Sequence, residues 1–185
     1  MTRIIAGFAG SLTIAVPGAG TRPTSDRVRE AIFSALESRD AIADAAALDL
    51  YAGSGALGLE AASRGAARVV LVDSASAAVK ACRANAALVG ARVPAGELRV
   101  AAQPVRTFLG TASSGWSLVF LDPPYDFAEE ELATDLALLS PLLAEDAVVM
   151  VERSSRSPEP TWPGGIHLDR RKDYGDTTLW WASAG

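Results

Sequence analysis

Leu118-Val119-Phe120-Leu121 runs straight into Asp122-Pro123-Pro124-Tyr125. The four apolar residues read as a buried strand of a parallel sheet. Two consecutive prolines must end that strand, because neither has an N–H to give to a sheet ladder. Pro124 also keeps Pro123 out of the helical region. The result is a stiff, extended corner at the carboxyl end of a strand, the edge at which open α/β sheets bind their ligands. The corner offers a carboxylate (Asp122), a carbonyl (Pro123) and an aromatic ring (Tyr125) on a rigid backbone. Two acceptors and a flat surface suit a planar base that carries an amine. A structural turn with Asp126 as a helix cap fits the same residues, so the rest of the chain has to decide.

From residue 46 the pattern alternates between strand and helix. Strands are expected at 46–51, 68–72 (ending on Asp73), 98–101, 116–121 and 147–152. Helices are expected from the glycine turn 53–58 through about 64, and at 75–89, 105–109 and 129–139. Parallel strands joined by helices give a doubly wound sheet. A Pro-rich loop at 157–163 precedes two last strands, 166–170 and 177–181, joined without a helix and so expected as an antiparallel edge pair. The fold class is therefore α/β, with a seven-stranded, mostly parallel sheet. Residues 1–20 form an N-terminal β-hairpin extension, and 21–185 a single globular domain.

Several function classes fall away on composition. At 185 residues, 49% of them hydrophobic, the chain can bury one substantial core. No apolar run reaches the ~18–20 residues of a membrane span. The start, Met1-Thr2-Arg3-Ile4-Ile5-Ala6-Gly7, lacks the charged region and long apolar core of a signal peptide, so a cytoplasmic protein is expected. One cysteine, Cys82, excludes an internal disulfide or a multi-cysteine zinc site, and no metal is expected. The single His167 argues against Ser-His or Cys-His nucleophilic catalysis. A net charge of −5 argues against a surface that is basic all over, but leaves room for a local basic face.

The hairpin is read from two short apolar runs, 3–6 and 11–16, with Gly7 and Gly10 bracketing the turn and Pro17-Gly18 at the exit. Thr24 or Ser25 can cap a following helix whose apolar face is Val28, Ala31, Ile32, Ala35 and Leu36. Arg27 and Arg29 in its first turn oppose the helix dipole. They point either to an anionic partner or to a solvated charged face.

Gly53-x-Gly55-x-x-Gly58 matches the dinucleotide fingerprint, and Asp73 lies where a ribose-binding acid would sit. A nicotinamide oxidoreductase is the serious rival on that ground. Asp49, at the preceding strand end, disfavours it, since a carboxylate aimed into the pocket repels a pyrophosphate. A ligand with an ammonium and no phosphate welcomes it, and S-adenosylmethionine is such a ligand. Glycines at 53 and 55 let backbone approach the ligand closely. Tyr51 and Glu60, beside the turn, read as core packing and helix-start electrostatics.

Asp49-Leu50-Tyr51-Ala52-Gly53-Ser54-Gly55-Ala56-Leu57-Gly58, the strand end at Asp73 and Asp122-Pro123-Pro124-Tyr125 together resemble the amino-methyltransferases of the Rossmann-like class I fold. Thr21-Arg22-Pro23-Thr24-Ser25-Asp26-Arg27-Val28-Arg29-Glu30 narrows the resemblance to the bacterial small-subunit rRNA guanine-N2 methyltransferases (RsmD type). Arg3-Ile4-Ile5-Ala6-Gly7 and Tyr174-Gly175-Asp176-Thr177 are also similar to that family, so the resemblance covers essentially the whole chain. Asp-Pro-Pro-Tyr alone is shared with DNA adenine-N6 methyltransferases, which stay open as an alternative.

The resemblance implies methyl transfer from S-adenosylmethionine to the exocyclic N2 amine of one guanine, guanine 966 in the usual numbering. The implied partner is 16S rRNA in an assembling small subunit, with ribosomal proteins bound and the enzyme a monomer. It implies a catalytic set of Asp122, Pro123, Pro124 and Tyr125. It implies cofactor contacts from Thr24, Asp26, Asp49, Tyr51, Gly53, Ser54, Gly55, Asp73 and Gln103. Arg22, Arg27 and Arg29 would contact RNA phosphates; Arg153, Arg156, Arg170, Arg171 and Lys172 either join them or are solvated charges of a loop and an edge strand. Two departures stand out. The first turn, Phe8-Ala9-Gly10-Ser11-Leu12, lacks the family's basic residues, and Ala102-Gln103-Pro104 stands where the family carries an acid near the adenine.

Overall fold

The sequence alternates strand and helix from residue 46 because apolar residues there switch between continuous runs and a 3.6-residue period. The computed structural model bears this out; it describes residues 2–18, 25–94 and 96–185. Two short strands, β1 (Thr2–Arg3) and β2 (Thr13–Ile14), pair antiparallel as the hairpin. Helix α1 (Asp26–Glu37) follows, with the Ser25 side chain accepting the Val28 N–H at its start. Then come β3 (Ala46–Leu50), α2 (Ala56–Ser63), β4 (Arg68–Asp73), α3 (Ser76–Gly90), β5 (Glu97–Ala102), α4 (Val105–Leu109) and β6 (Trp116–Leu121). The chain ends with α5 (Glu129–Leu139), a 3-10 turn at Ser140–Leu142, β7 (Leu143–Ser154), β8 (Ile166–Tyr174) and β9 (Thr177–Ala184).

The last seven strands make one sheet in the order β5-β4-β3-β6-β7-β9-β8. β3 to β7 are parallel, and β9 runs antiparallel to both β7 and β8. The chain winds outward from β3 through β4 to β5, then crosses to β6 on the other side of β3. The topological switch point therefore lies between β3 and β6, where open α/β sheets form their ligand crevice.

Alternate strand residues feed two apolar layers, as a sheet covered on both faces requires. Ala47, Val69, Leu71, Leu118, Phe120, Val148, Met150 and Trp181 pack with α1, α2 and α3. Leu48, Leu50, Val70, Val72, Val119, Leu121, Val149, Val151 and Trp180 pack with α4 and α5. Trp116 breaks the alternation. The β6–β7 register shifts between Trp116 and Leu118, which puts the indole in the α4–α5 layer against Phe108. β7 begins four residues before the expected Ala147, because the half-polar stretch Leu143–Asp146 joins the strand through that irregular pairing, with Asp146 at a positive φ of 58°.

The hairpin is anchored in the α1–α3 layer by Ile4, Ala9 and Ile14, all nearly inaccessible. Glu60, expected to act on its helix start, instead sits fully buried in α2 and accepts the backbone N–H groups of Ile5 and Ala6. Ser63 takes the Ala9 N–H on its hydroxyl and the Phe8 N–H on its carbonyl. A two-stranded hairpin is marginal alone; these bonds and three buried side chains supply what it lacks. No helix among the described residues is long and apolar enough to cross a membrane.

Candidate active site

The glycine turn after β3 takes its shape from a division of labour among its glycines. Gly58 packs inward: an added Cβ would lie 2.4 Å from Leu71 Cδ2 and 3.0 Å from Asp49 Cβ. Gly55, in the left-handed region at φ 78°, would likewise strike Leu71. The expectation that Gly55 lets the ligand approach is corrected here: its Cα faces the protein interior, so its role is packing and turn geometry. Gly53, at φ 58°, is the one of the three that faces open space, with nothing within 4 Å of an added Cβ. Its N–H donates to Asp73 at 2.9 Å, and Asp73 also receives the Ala75 N–H.

Asp49 is corrected in the same way. Instead of pointing into the ligand pocket, it is 1% exposed and accepts the Gly58 N–H at 2.8 Å. Burial raises its pKa to about 7; the Gly58 bond opposes the rise and the Asp73 charge adds to it. Asp49 therefore occupies an N–H at the start of α2 that a pyrophosphate would otherwise use. Asn85, fully buried, braces the turn from behind, donating to the Ser54 carbonyl and to Ala15 O and accepting the Ala15 N–H. Cys82 lies in the core, its thiol donating to Gly53 O, and burial pushes that thiol up to about 12.

The Asp122–Tyr125 corner stands beside this turn. β3 and β6 pair in register through Leu50 and Leu121, and the Asp122 N–H reaches the Leu50 carbonyl at 3.3 Å. Asp122 is half-buried, Pro123 buried and the Tyr125 ring 54% exposed. Asp122, Pro123 and Tyr125 line a cleft with Glu152, Arg153 and Ser154 from the end of β7. Tyr51 reaches the corner too. It holds a left-handed φ of 63°, meets Phe127 edge-on at 5.2 Å, and donates its hydroxyl to Asp135, which Arg106 also contacts. Burial drives its phenol well above its ordinary pKa, so it stays protonated. Tyr51 is a brace under the corner, in line with core packing.

Gly53, Asp73 and Gln103 share the carboxyl edge of the sheet with the corner, Gln103 following the register partner of Asp73. The expected phosphate contacts divide. Arg27 is exposed on α1, and Arg156 is exposed beyond β7. Arg29 is fully buried, donating to Thr2, the Arg3 carbonyl and Asp26, and cannot meet RNA. Its guanidinium holds the Asp26 carboxyl below its ordinary pKa. Asp26 thus serves the hairpin–helix junction, with its side chain still half exposed. Arg153 is buried behind the corner. Arg170 and Arg171 lie over Trp181 and Trp180. Arg22 and Thr24 fall outside the described residues.

Sequence reasoning missed the bracing roles of Arg153, Asn85 and Asp135, because nothing local marks a side chain whose partners are 24 or more residues away. Of the turn's two acids only Asp73 lies at the open edge: Gly53 faces open space and donates its N–H to Asp73, an arrangement that suits a ligand with hydroxyls, while Asp49 is spent on the Gly58 N–H.

The chain as a whole is similar to known proteins. Residues 2–183 match the family model described as conserved hypothetical protein 95. The chain is 37% identical over 174 residues to ribosomal RNA small subunit methyltransferase D of Escherichia coli K12, covering 94% of this chain and 85% of that one. It superposes on the solved structure of yhhF from Escherichia coli with a TM-score of 0.85 at 36% identity, over 99% of this chain and 97% of the other. A hypothetical protein of Thermus thermophilus gives a TM-score of 0.82 at 33% identity, covering 98% of each chain.

Proposed function

The chain belongs to the conserved hypothetical protein 95 family, of RsmD type, and on that footing we propose that it is an rRNA methyltransferase of the small ribosomal subunit. In its finer form the reading is transfer of a methyl group from S-adenosylmethionine to the N2 amine of guanine 966 in 16S rRNA. The observation that carries it is the pair of sites at the switch point. A carboxylate-bearing turn opens through Gly53, and next to it lies a corner holding an acid, a carbonyl and an exposed ring.

S-adenosylmethionine, when bound, supplies an electrophilic methyl on a sulfonium. Gly53 and Asp73 would hold it, with Gln103 at the next strand end. The target guanine leaves its stack, as bases must for chemistry on their edges. Its 2-amino lone pair is delocalised into the ring and is a poor nucleophile. Asp122 and the Pro123 carbonyl accept the two amine N–H bonds, which turns the nitrogen outward and stabilises the positive charge that develops on it. Tyr125 stacks on the base. The proton leaves to Asp122 or to water once the N–CH₃ bond has formed.

Arg27 and Arg156 contact phosphates, so RNA binding weakens steeply with salt. With a net charge of −5, ribosomal proteins already on the particle help the enzyme dock as a monomer in the cytoplasm. The test is labelled-methyl transfer to small subunits lacking the modification, followed by nucleoside analysis of the product. N2-methylguanosine is expected. N6-methyladenine from DNA would replace this reading with the DNA enzyme, and calorimetric binding of NAD with none of S-adenosylmethionine would replace it with an oxidoreductase.

A further inference from the structure

Among the described residues, Arg153 is the cation of the cleft wall, and the methyl-transfer chemistry described above does not use it. Its side chain is 3% exposed, so it is closed to phosphate. It extends from the carboxyl end of β7, two residues past Val151, the register partner of Leu121. Nη2 donates to the Phe127 carbonyl at 2.7 Å and to the Glu129 carboxylate, and Nη1 approaches the Pro124 carbonyl at 3.5 Å. A planar guanidinium can hold such a set of acceptors at once; an ammonium cannot match the fork.

These acceptors span the segment that carries Tyr125. Neither proline has an N–H, so the corner cannot be fixed by a sheet ladder. Within the corner, the Phe127 N–H donates to Pro124 O at 3.0 Å. Arg153 takes both ends of that bonded turn and ties them to the first turn of α5. Glu129 balances the charge, which offsets the cost of burying the cation.

We infer that Arg153 is a positioning residue for methyl transfer: its guanidinium fixes the Pro124–Glu129 turn, and through it the placing of Asp122 and Tyr125 on the base. The inference rests on the methyltransferase reading. A corner displaced by about 1 Å is enough to cost about 100-fold in rate when the reacting atoms must be aligned.

The test compares Arg153→Ala and Arg153→Lys with the wild type in labelled-methyl transfer to small subunits, with and without added guanidinium ion. Hydrogen exchange at the Phe127 amide is followed in parallel. Expected for Arg153→Ala are unchanged S-adenosylmethionine affinity, a kcat lower by about 100-fold with KM for the particle little changed, and partial recovery of kcat with guanidinium. Arg153→Lys should recover less, and the Phe127 amide should exchange faster in both. A folded Arg153→Ala variant with wild-type kcat, or a loss that guanidinium leaves untouched, overturns the inference. If Arg153→Ala does not fold, Glu129→Gln takes its place: faster Phe127 exchange with lowered kcat supports the role, and wild-type values of both overturn it. Failure of the methyltransferase reading shows separately, as absence of transfer by the wild-type enzyme, and the exchange measurement then still decides whether Arg153 holds the turn.

Discussion

The glycine turn after β3 and the Asp122–Tyr125 corner after β6 close neighbouring strands at the same edge, but they are held by opposite means. The turn is held from within. Gly55 and Gly58 press on Leu71, and Asp49 and Asp73 take the N–H groups of Gly58 and Gly53. Its two acids are spent on the turn's own N–H groups, and the buried Asn85 and Cys82 take the Ser54 and Gly53 carbonyls from the core side. The corner is held from outside, by Arg153 of β7, by Tyr51 through Phe127, and by Pro-Pro stiffness. Its acid stays half-buried and its ring exposed. On the proposed function the difference has a reason: a turn that carries a cofactor can be built into the core, whereas a corner that admits a base needs an open face and so takes its rigidity from the elements around it.

The largest expected effect separates the two regions by function. Asp122→Ala should lower methyl transfer by about 1,000-fold while leaving unfolding in urea near wild type, because the group acts on charge that develops only in the transition state. Transfer at the wild-type rate would remove Asp122 from the chemistry.

Asp49 gives the second contrast, in stability and pH. Its folded pKa, about 7, lies above the ordinary value of 3.8. The folded state therefore holds the proton more tightly. The stability this contributes is complete below about pH 4 and is lost as pH rises to about 7. Over that window the loss amounts to about 4 kcal/mol for a fully buried group. Asp49→Asn, which keeps an acceptor for the Gly58 N–H, should flatten this part of the stability profile. Urea unfolding across the window checks it, and parallel profiles for the two proteins would show that Asp49 is not the titrating group.

Gly58→Ala should reverse the pattern of Asp122→Ala. The added methyl has no room against Leu71, so about 2 kcal/mol of stability should be lost, readable as a lower urea midpoint at constant slope. Tyr125→Ala is the smallest effect. With the ring already exposed, folding should be unaffected, and KM for the particle should rise about tenfold through lost stacking. A large fall in stability there would mean that the corner is held by its own ring and not from outside.

The contrast also explains what is legible in the sequence. The β-α alternation from residue 46, the buried β6 run and the proline stop are local patterns, and each element lies within a few residues of its expected place. Gly53 and Asp73 are recognisable because their spacing is fixed by a single βα turn and the next strand. Arg29 and Arg153 are misread as phosphate ligands for one reason. An arginine in a polar stretch reads as exposed unless its acceptors are known, and theirs come from the hairpin, from Asp26 and from a turn 24 to 29 residues away. The role of Glu60 is missed because its partners are the backbone of Ile5 and Ala6, which no side-chain pattern reveals.

The parallel sheet, the ligand edge at its strand ends and the Asp122-Pro123-Pro124-Tyr125 corner are written in the sequence, since chain stiffness, missing N–H groups and hydrophobic period act over a few residues; the strand order that puts a switch point between β3 and β6 comes from the fold. Only the tertiary structure decided which charges are tools and which are struts. Burial sets a side chain's pKa, its partners and its access to a substrate, and burial is a property of elements that meet from distant parts of the chain.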